Sequence, residues 1–399
     1  MAPGGAGGAG KAPVDGLRSL HLLDAWLPRT ETFIWQVLRQ LHRYPPLVLA
    51  DRRENEDVFP LPGGVFVDAQ ASRAPWAQAW ARVAGGFAPV RYAGGHDFVA
   101  SLRDRGAVVC HVHKGYRALV TRPLTRALGL PLFVNFYGSD VSQRAFLRRA
   151  AGGYRELFPR AVGLLVEGPA MRRKLLALGA PEDRIREQRI AIDPAEYPFA
   201  ERSWDGNRPL RLLFVGRFVE KKGLEIGLRA LADRRVAFPW RLTVIGDGPL
   251  RARLVGLAAA LGISGRVDFV GFKNLAETRA ALAVHDVLLQ PSLTAADGDG
   301  EGGAPTIILE AQACGLPVIA TTHDDIPHIT APATASAGAG SAWLAPEGDA
   351  DALAELLRRA VDEAGNWGAM GRAGRAKIEA DHDARRIVAD LEALYAAAL

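Results

Sequence analysis

The chain reads as an α/β protein of two doubly wound, Rossmann-like domains that face each other across a cleft, and three observations predict it. With 399 residues it is too long for one ordinary core and comfortable for two. Short apolar runs bounded by turn residues alternate with longer helical patterns, the signal of βαβ units and parallel sheets. A stretch of little periodicity, Ala191 to Asp205 with Pro194 and Pro198, splits those runs into two sets of five.

Residues 1–16 are a Gly- and Ala-rich leader without the apolar core of a signal peptide, and are set apart from the fold. Gly5, Gly7 and Gly10 have the spacing of a dinucleotide fingerprint, but they follow no strand and carry no weight. Over 17–195 the strand-like runs are Leu17 to Leu23, Leu47 to Ala50, Ala107 to His111, Leu132 to Phe136 and Gly163 to Val166. Over 196–382 they are Leu210 to Val215, Arg241 to Ile245, Val267 to Val270, Val287 to Gln290 and Val318 to Ala320. Residues 383–399 form a last helix expected to cross back onto the first domain.

Composition narrows the function classes. Hydrophobic content of 49% with no run of 18 apolar residues free of charge excludes a membrane-spanning helix. Cys110 and Cys314 lie far apart without metal-ligand spacing, so neither a disulfide framework nor a metal site is expected, and a reducing cytoplasm is. Lys and Arg outnumber Asp and Glu by 27 to 18 over residues 1–200, against 49 to 44 for the whole chain, so the basic charge sits in the first half. There Arg144, Arg148, Arg149, Arg155, Arg160, Arg172, Arg173 and Lys174 stand beside Phe146, Leu147, Leu157 and Phe158. They are either solvated helix faces or a contact for anionic lipid headgroups or a phosphate-bearing acceptor. Nucleic acid is not expected, because no recognition motif accompanies the charge.

The chemistry concentrates after strands of the second half. Gly216-Arg217-Phe218-Val219-Glu220-Lys221-Lys222-Gly223 directly follows Leu210 to Val215, where doubly wound sheets bind ligands. Arg217 supplies a bidentate fork and Lys222 a mobile point charge, suited to a diphosphate leaving group whose charge grows as a sugar departs. A solvated basic turn is the plain alternative. Gly246-Asp247-Gly248-Pro249 is a tight turn that lets backbone approach a ligand, or simply links a strand to a helix. Glu301-Gly302-Gly303-Ala304-Pro305-Thr306 then leads into a helix expected from Pro305 to Cys314, stopped by Gly315. Its N-terminus offers N–H donors to phosphate oxygens, while Glu301 and Glu310 can accept hydrogen bonds from sugar and ribose hydroxyls.

In the first half, His111 and His113 follow one strand, and Tyr137-Gly138-Ser139-Asp140 the next. His113, Tyr137 and Asp140 are candidates to orient acceptor hydroxyls, with a core role open for both histidines. Pro28 to Phe33 opens a helix that Thr30 or Thr32 can cap, and its Glu31 and Thr32 should face the cleft.

Taken in order, these residues resemble glycosyltransferase family 4, retaining enzymes of the GT-B fold, over nearly the whole chain from Leu17. Arg217 and Lys222 match the family's basic pair, and Glu301 and Glu310 match the two glutamates of its E-x7-E motif. The resemblance implies that Arg217 and Lys222 sit at the donor phosphates and are catalytic through their charge, with Glu301 near the transferred sugar and Glu310 at the ribose. It also implies a nucleotide-sugar donor, UDP-linked before GDP-linked, with no cofactor beyond it and no metal. Pro28 to Ile34, Phe136 to Asp140 and Glu301 to Pro305 look like a branch of colanic-acid and other exopolysaccharide enzymes. That branch implies a lipid-linked oligosaccharide or glycan acceptor, at the inner face of the cell membrane. Two features depart from the pattern. Glu301 and Glu310 are nine positions apart rather than eight, which leaves the placement of Glu301 open, and Tyr137 stands where many members carry His. Tyr is not a base at neutral pH and is assigned none of that chemistry. Other readings of the same fold are a phosphorylase, an epimerase, or a catalytically silent carbohydrate-binding partner.

Overall fold

The computed structural model describes residues 16–28, 31–83, 86–331 and 340–399. The leader's first fifteen residues and Thr30 therefore lie outside the described residues.

The first domain holds strands β1 (Arg18–Trp26), β2 (Pro46–Arg53), β3 (Val65–Phe66), β4 (Ala71–Ser72), β5 (Arg91–Tyr92), β6 (Ala107–His113), β7 (Leu132–Asn135), β8 (Gly163–Val166) and β9 (Ile185–Glu187). Seven form one parallel sheet in the order β3-β2-β1-β6-β7-β8-β9, and β4 and β5 make a small antiparallel pair. The second domain holds β10 (Leu210–Val215), β11 (Trp240–Ile245), β12 (Val267–Gly271), β13 (Val287–Gln290), β14 (Val318–Thr321) and β15 (Ala342–Ala345). All pair in parallel, in the order β12-β11-β10-β13-β14-β15. Strand order reverses between β1 and β6 and between β10 and β13, so each sheet has a switch point where a crevice opens beyond the strand ends. This is the GT-B arrangement of two Rossmann-like domains.

The strands form where they do because helices cover both sheet faces, which demands near-continuous apolar runs. In β13 and β14 all four residues are buried, and in β10 only Arg211 is exposed. Shorter edge strands escape this rule: β9 buries only Ile185.

The final helix, Ala384–Ala398, lies against the first domain. Val388, Leu391 and Tyr395 enter a core with Leu23, Trp26, Ile34 and Val48, and Glu392 accepts from the backbone of His42 and Arg43. Tyr395 reaches further in, to His111. No helix among the described residues is long and apolar enough to cross a membrane.

The Arg-rich helix Arg144–Leu157 divides its two faces cleanly. Tyr154 and Leu157 are buried and Phe146 and Leu147 pack on the first-domain core, while Arg148 and Arg155 are exposed. Its first turn instead grips the second domain: Arg144 N–H donates to Asp297 O at 3.1 Å and Gln143 donates to the Asp297 carboxylate at 3.0 Å.

Candidate active site at the interdomain cleft

At the β10/β13 switch point the turns after three adjacent strands wall a cavity of about 580 Å³. Val215, Gly216 and Arg217 leave β10, Ile245, Gly246 and Asp247 leave β11, and Phe272, Lys273 and Asn274 follow β12. Pro305, Thr306, Ile307 and Glu310 close it from the helix Thr306–Ala313, and Thr32, Val58 and Phe59 reach across from the first domain. Gly246 sits there because its φ of 137° and its contact leave no room for a side chain: an added Cβ would lie 1.9 Å from Gly216 O. Gly248 serves the same turn from behind, against the Phe218 backbone, and does not line the cavity.

The two expected cations differ in setting. The Arg217 side chain is exposed into the cavity and makes no ion pair or hydrogen bond with the described residues. Lys222 is more enclosed, and its Nζ donates to Glu301 Oε2 at 2.8 Å. Its neighbour Lys221 faces inward and holds Asp299 and the carbonyl of Gly300, a structural task. Despite the extra residue before Glu310, Glu301 thus stays in reach of Lys222. Burial alone would raise the Glu301 pKa. The charges of Lys222 and Lys221, with hydrogen bonds from Lys222 and Ser292, outweigh it and hold the carboxyl below its ordinary range.

Glu310 faces the opposite balance. Burial pushes its pKa up to about 7, only partly opposed by a hydrogen bond from Tyr197 Oη at 3.0 Å and the charge of Arg279.

The Gly302-Gly303-Ala304 turn is partly committed to contacts within the protein. Gly302 N–H is taken by Asp324 Oδ2 at 2.8 Å, and Ala304 is buried. Both glycines instead allow the domains to touch: a Cβ on Gly302 would lie 2.4 Å from Gly138 Cα, and one on Gly303 1.8 Å from Glu167 Oε2. Thr306 and Ile307 at the helix start line the cavity, where their N–H groups can meet an anion.

On the first-domain side Asp140 also has another task. It is buried and accepts from the backbone N–H groups of Gly115 at 2.9 Å and Tyr116 at 3.4 Å, so it secures the start of a helix and lines neither cavity. Glu31 is ion-paired with Lys114, and at the N-terminus of the helix Thr32–Leu38 no side chain caps the backbone. Thr32 instead faces the cavity.

His113 and Tyr137 border a second cavity of about 30 Å³ together with His21, Phe33, Glu167 and Gln188. The nitrogens of His21, His111 and His113 cluster closely enough to raise the question of a metal ion. The rings of His111 and His113 are nearly parallel, at 6° with centroids 4.6 Å apart. In-plane lone pairs on stacked rings cannot converge on one ion, and every ring nitrogen of the three already has a hydrogen-bond partner. The set is built as a hydrogen-bonded network.

Glu167, which follows β8, is a site residue that sequence reasoning missed. Burial, then the nearby Asp325 carboxylate, raise its pKa to about 8, against the Ala304 N–H that opposes the shift. The folded chain therefore keeps a proton that the unfolded chain releases above the ordinary 4.5, and this residue's contribution to stability falls as pH rises from there to about 8. Glu167→Gln should melt about 2–5 °C above the wild type at pH 8 and alongside it at pH 4.5, as scanning calorimetry at the two pH values will show.

Two sheets with facing switch points, and paired cations beside a nucleotide-sized cavity, define a glycosyltransferase of the GT-B class. The chain belongs to the family described as glycosyl transferases group 1, whose model matches residues 201–377. It is 36% identical over 300 residues to the amylovoran biosynthesis glycosyltransferase AmsK of Erwinia amylovora, covering 73% of this chain and 71% of that one. It is 33% identical over 286 residues to the putative colanic acid biosynthesis glycosyltransferase WcaL of Escherichia coli K12, covering 70% and 68%. Among solved structures, Anabaena Alr3699/HepE in complex with UDP and glucose superposes with a TM-score of 0.73 at 15% identity, over 95% of this chain and 100% of that one.

Proposed function

We propose that this glycosyltransferase moves a sugar, with retention at the anomeric carbon, from a nucleoside-diphosphate donor to a glycan or lipid-linked oligosaccharide in exopolysaccharide synthesis. The observation that carries the reading is the convergence of Arg217, Lys222 and Glu310 on one cavity at the second domain's switch point. Arg217 and Lys222 stabilise the charge that gathers on the departing diphosphate, a task that in other enzymes falls to a metal ion. Glu310 accepts from the ribose, and Glu301 stands beside Lys222 where the sugar would lie. The acceptor oxygen bonds to the anomeric carbon on the face the phosphate leaves, the carbon–phosphate oxygen bond breaks, and the acceptor's proton passes to the leaving phosphate. No protein nucleophile is needed, and positioning supplies much of the rate.

A UDP-sugar is the first choice of donor, in keeping with the UDP and glucose of the HepE complex, and a GDP-sugar is the next. A GDP-mannose-dependent mannosyltransferase of Corynebacterium glutamicum is 35% identical over 166 residues, which keeps the second choice open. The names of AmsK and WcaL support an exopolysaccharide product. Arg148, Arg155 and Arg160 stand exposed while their apolar neighbours turn inward. Contact with an anionic inner membrane face would then be electrostatic rather than inserted. The purified chain, given UDP- and GDP-sugars with a lipid-diphosphate oligosaccharide, should yield a product whose new linkage keeps the donor's anomeric configuration by NMR. An inverted linkage, or none with any donor, would sink the proposal.

A further inference from the structure

Behind the cleft a file of buried side chains runs from Ser19 on β1 to Tyr137 after β7. Ser19 Oγ donates its only proton to the carbonyl of Tyr44 at 2.8 Å. Toward His21 Nε2, also 2.8 Å away, Ser19 can only accept, so His21 carries its proton on Nε2. Burial, and then the neighbouring His111, hold the His21 pKa well below 6.5, which leaves Nδ1 as a bare lone pair. His113 Nε2 stands 3.1 Å from that lone pair and must donate to it. His113 is kept neutral in the same way, by burial before the charges of its neighbours, so its Nδ1 is an acceptor. Tyr137 Oη, 3.1 Å away, must then donate inward. Each link is fixed by the one before, starting from a backbone carbonyl that can only accept.

Other contacts hold the file still. His111 spends its nitrogens on Asn135 and Tyr395 and stacks on the His113 ring. Phe33 sets its edge against the Tyr137 ring at 66°. With its proton committed inward, Tyr137 has only lone pairs left for the cavity of about 30 Å³ it shares with Phe33, Glu167 and Gln188. That space takes one hydroxyl-sized group. Aligned donors polarise one another, which makes the phenol oxygen a better acceptor than an isolated tyrosine.

We propose that Ser19, His21 and His113 are positioning residues that fix Tyr137 as a hydrogen-bond acceptor, so that the site selects an acceptor sugar presenting a donating hydroxyl there. The inference rests on the transferase reading of the cleft, and its test includes a readout that does not.

In the full-length chain labelled with 15N-histidine, long-range 1H–15N spectra should show His21 and His113 as Nε2–H tautomers from pH 6 to 8. Tyr137→Phe should raise KM for the acceptor about five- to tenfold, the worth of one hydrogen bond, with KM for the donor unmoved. Ser19→Ala should raise it in the same direction, and Ser19→Ala with Tyr137→Phe should be no worse than Tyr137→Phe alone. A wild-type His113 protonated on Nδ1 at pH 7 would overturn the proposal, and so would additive losses in the double variant. A wild-type chain with the expected tautomers that transfers no sugar would instead overturn the transferase reading and leave the file standing.

Discussion

Arg217→Ala and Lys222→Ala should each lower the transfer rate by about 10²- to 10³-fold, the range for removing one preorganised charge partner of a developing anion. Their effects on stability should differ. The Arg217 side chain is exposed and has no partner among the described residues, so its loss should leave the melting temperature unchanged. Lys222 neutralises the buried Glu301 carboxylate, and its removal strands that charge. Lys222→Ala should therefore melt several degrees lower. Adding Glu301→Gln should recover the melting temperature but not the transfer rate. Steady-state kinetics beside calorimetry on the same four chains separates the two tasks of Lys222, and recovery of both by the double variant would show that the lysine serves the fold alone.

The second large effect concerns closure. The turn at Gly300 to Gly303 meets Gly138 backbone to backbone, and Lys174 pairs with Asp324 along the same seam. Gly302 has φ of 85°, and a Cβ there would stand 2.4 Å from Gly138 Cα. Gly302→Ala would have to part the loops by more than an ångström beyond the strain of its left-handed backbone. The domains should then fail to close, and because closure completes the site, transfer should fall about 100-fold while nucleoside diphosphate still binds the second domain. Small-angle scattering should show a larger radius of gyration than for the wild type. Gly152→Ala, with open space around its added Cβ, should behave as wild type in all three measurements. An unchanged radius of gyration in Gly302→Ala would show that the seam does not govern closure.

The seam also shows where the sequence was legible and where it was not. Central strands such as β10 and β13 announce themselves because both faces are covered, and their runs are apolar apart from Arg211 and Gln290. Strands β3, β9 and β15 do not: at the sheet edges β3 is two residues long, β9 is Ile-Arg-Glu with only Ile185 buried, and β15 buries only two of its four residues. That Arg217 and Lys222 border a cavity could be read from their place directly after a strand, because clefts open beyond strand ends at a switch point. The glycines at 302 and 303 could not: a glycine allows close approach, but only the fold says whether a phosphate or Gly138 does the approaching. His21 was hidden inside an apolar run and acquires meaning only when the β1/β6 register sets it opposite His111. Glu167 carries no motif, and its environment comes from the other domain's Ala304 and Asp325. Asp140 looked like a ligand for hydroxyls and is a ligand for backbone N–H groups.

The cavity beside Arg217 is expected to be a nucleoside-diphosphate site. A ligand that binds the native state raises its melting temperature by an amount that grows with the logarithm of its concentration relative to Kd. Thermal shifts of the wild type and Arg217→Ala, measured with UDP, GDP, ADP and their monophosphates, test this most directly. One diphosphate should stabilise the wild type by several degrees, its monophosphate much less, and Arg217→Ala should lose most of the difference. No shift with any diphosphate, or an equal shift in Arg217→Ala, would contradict it.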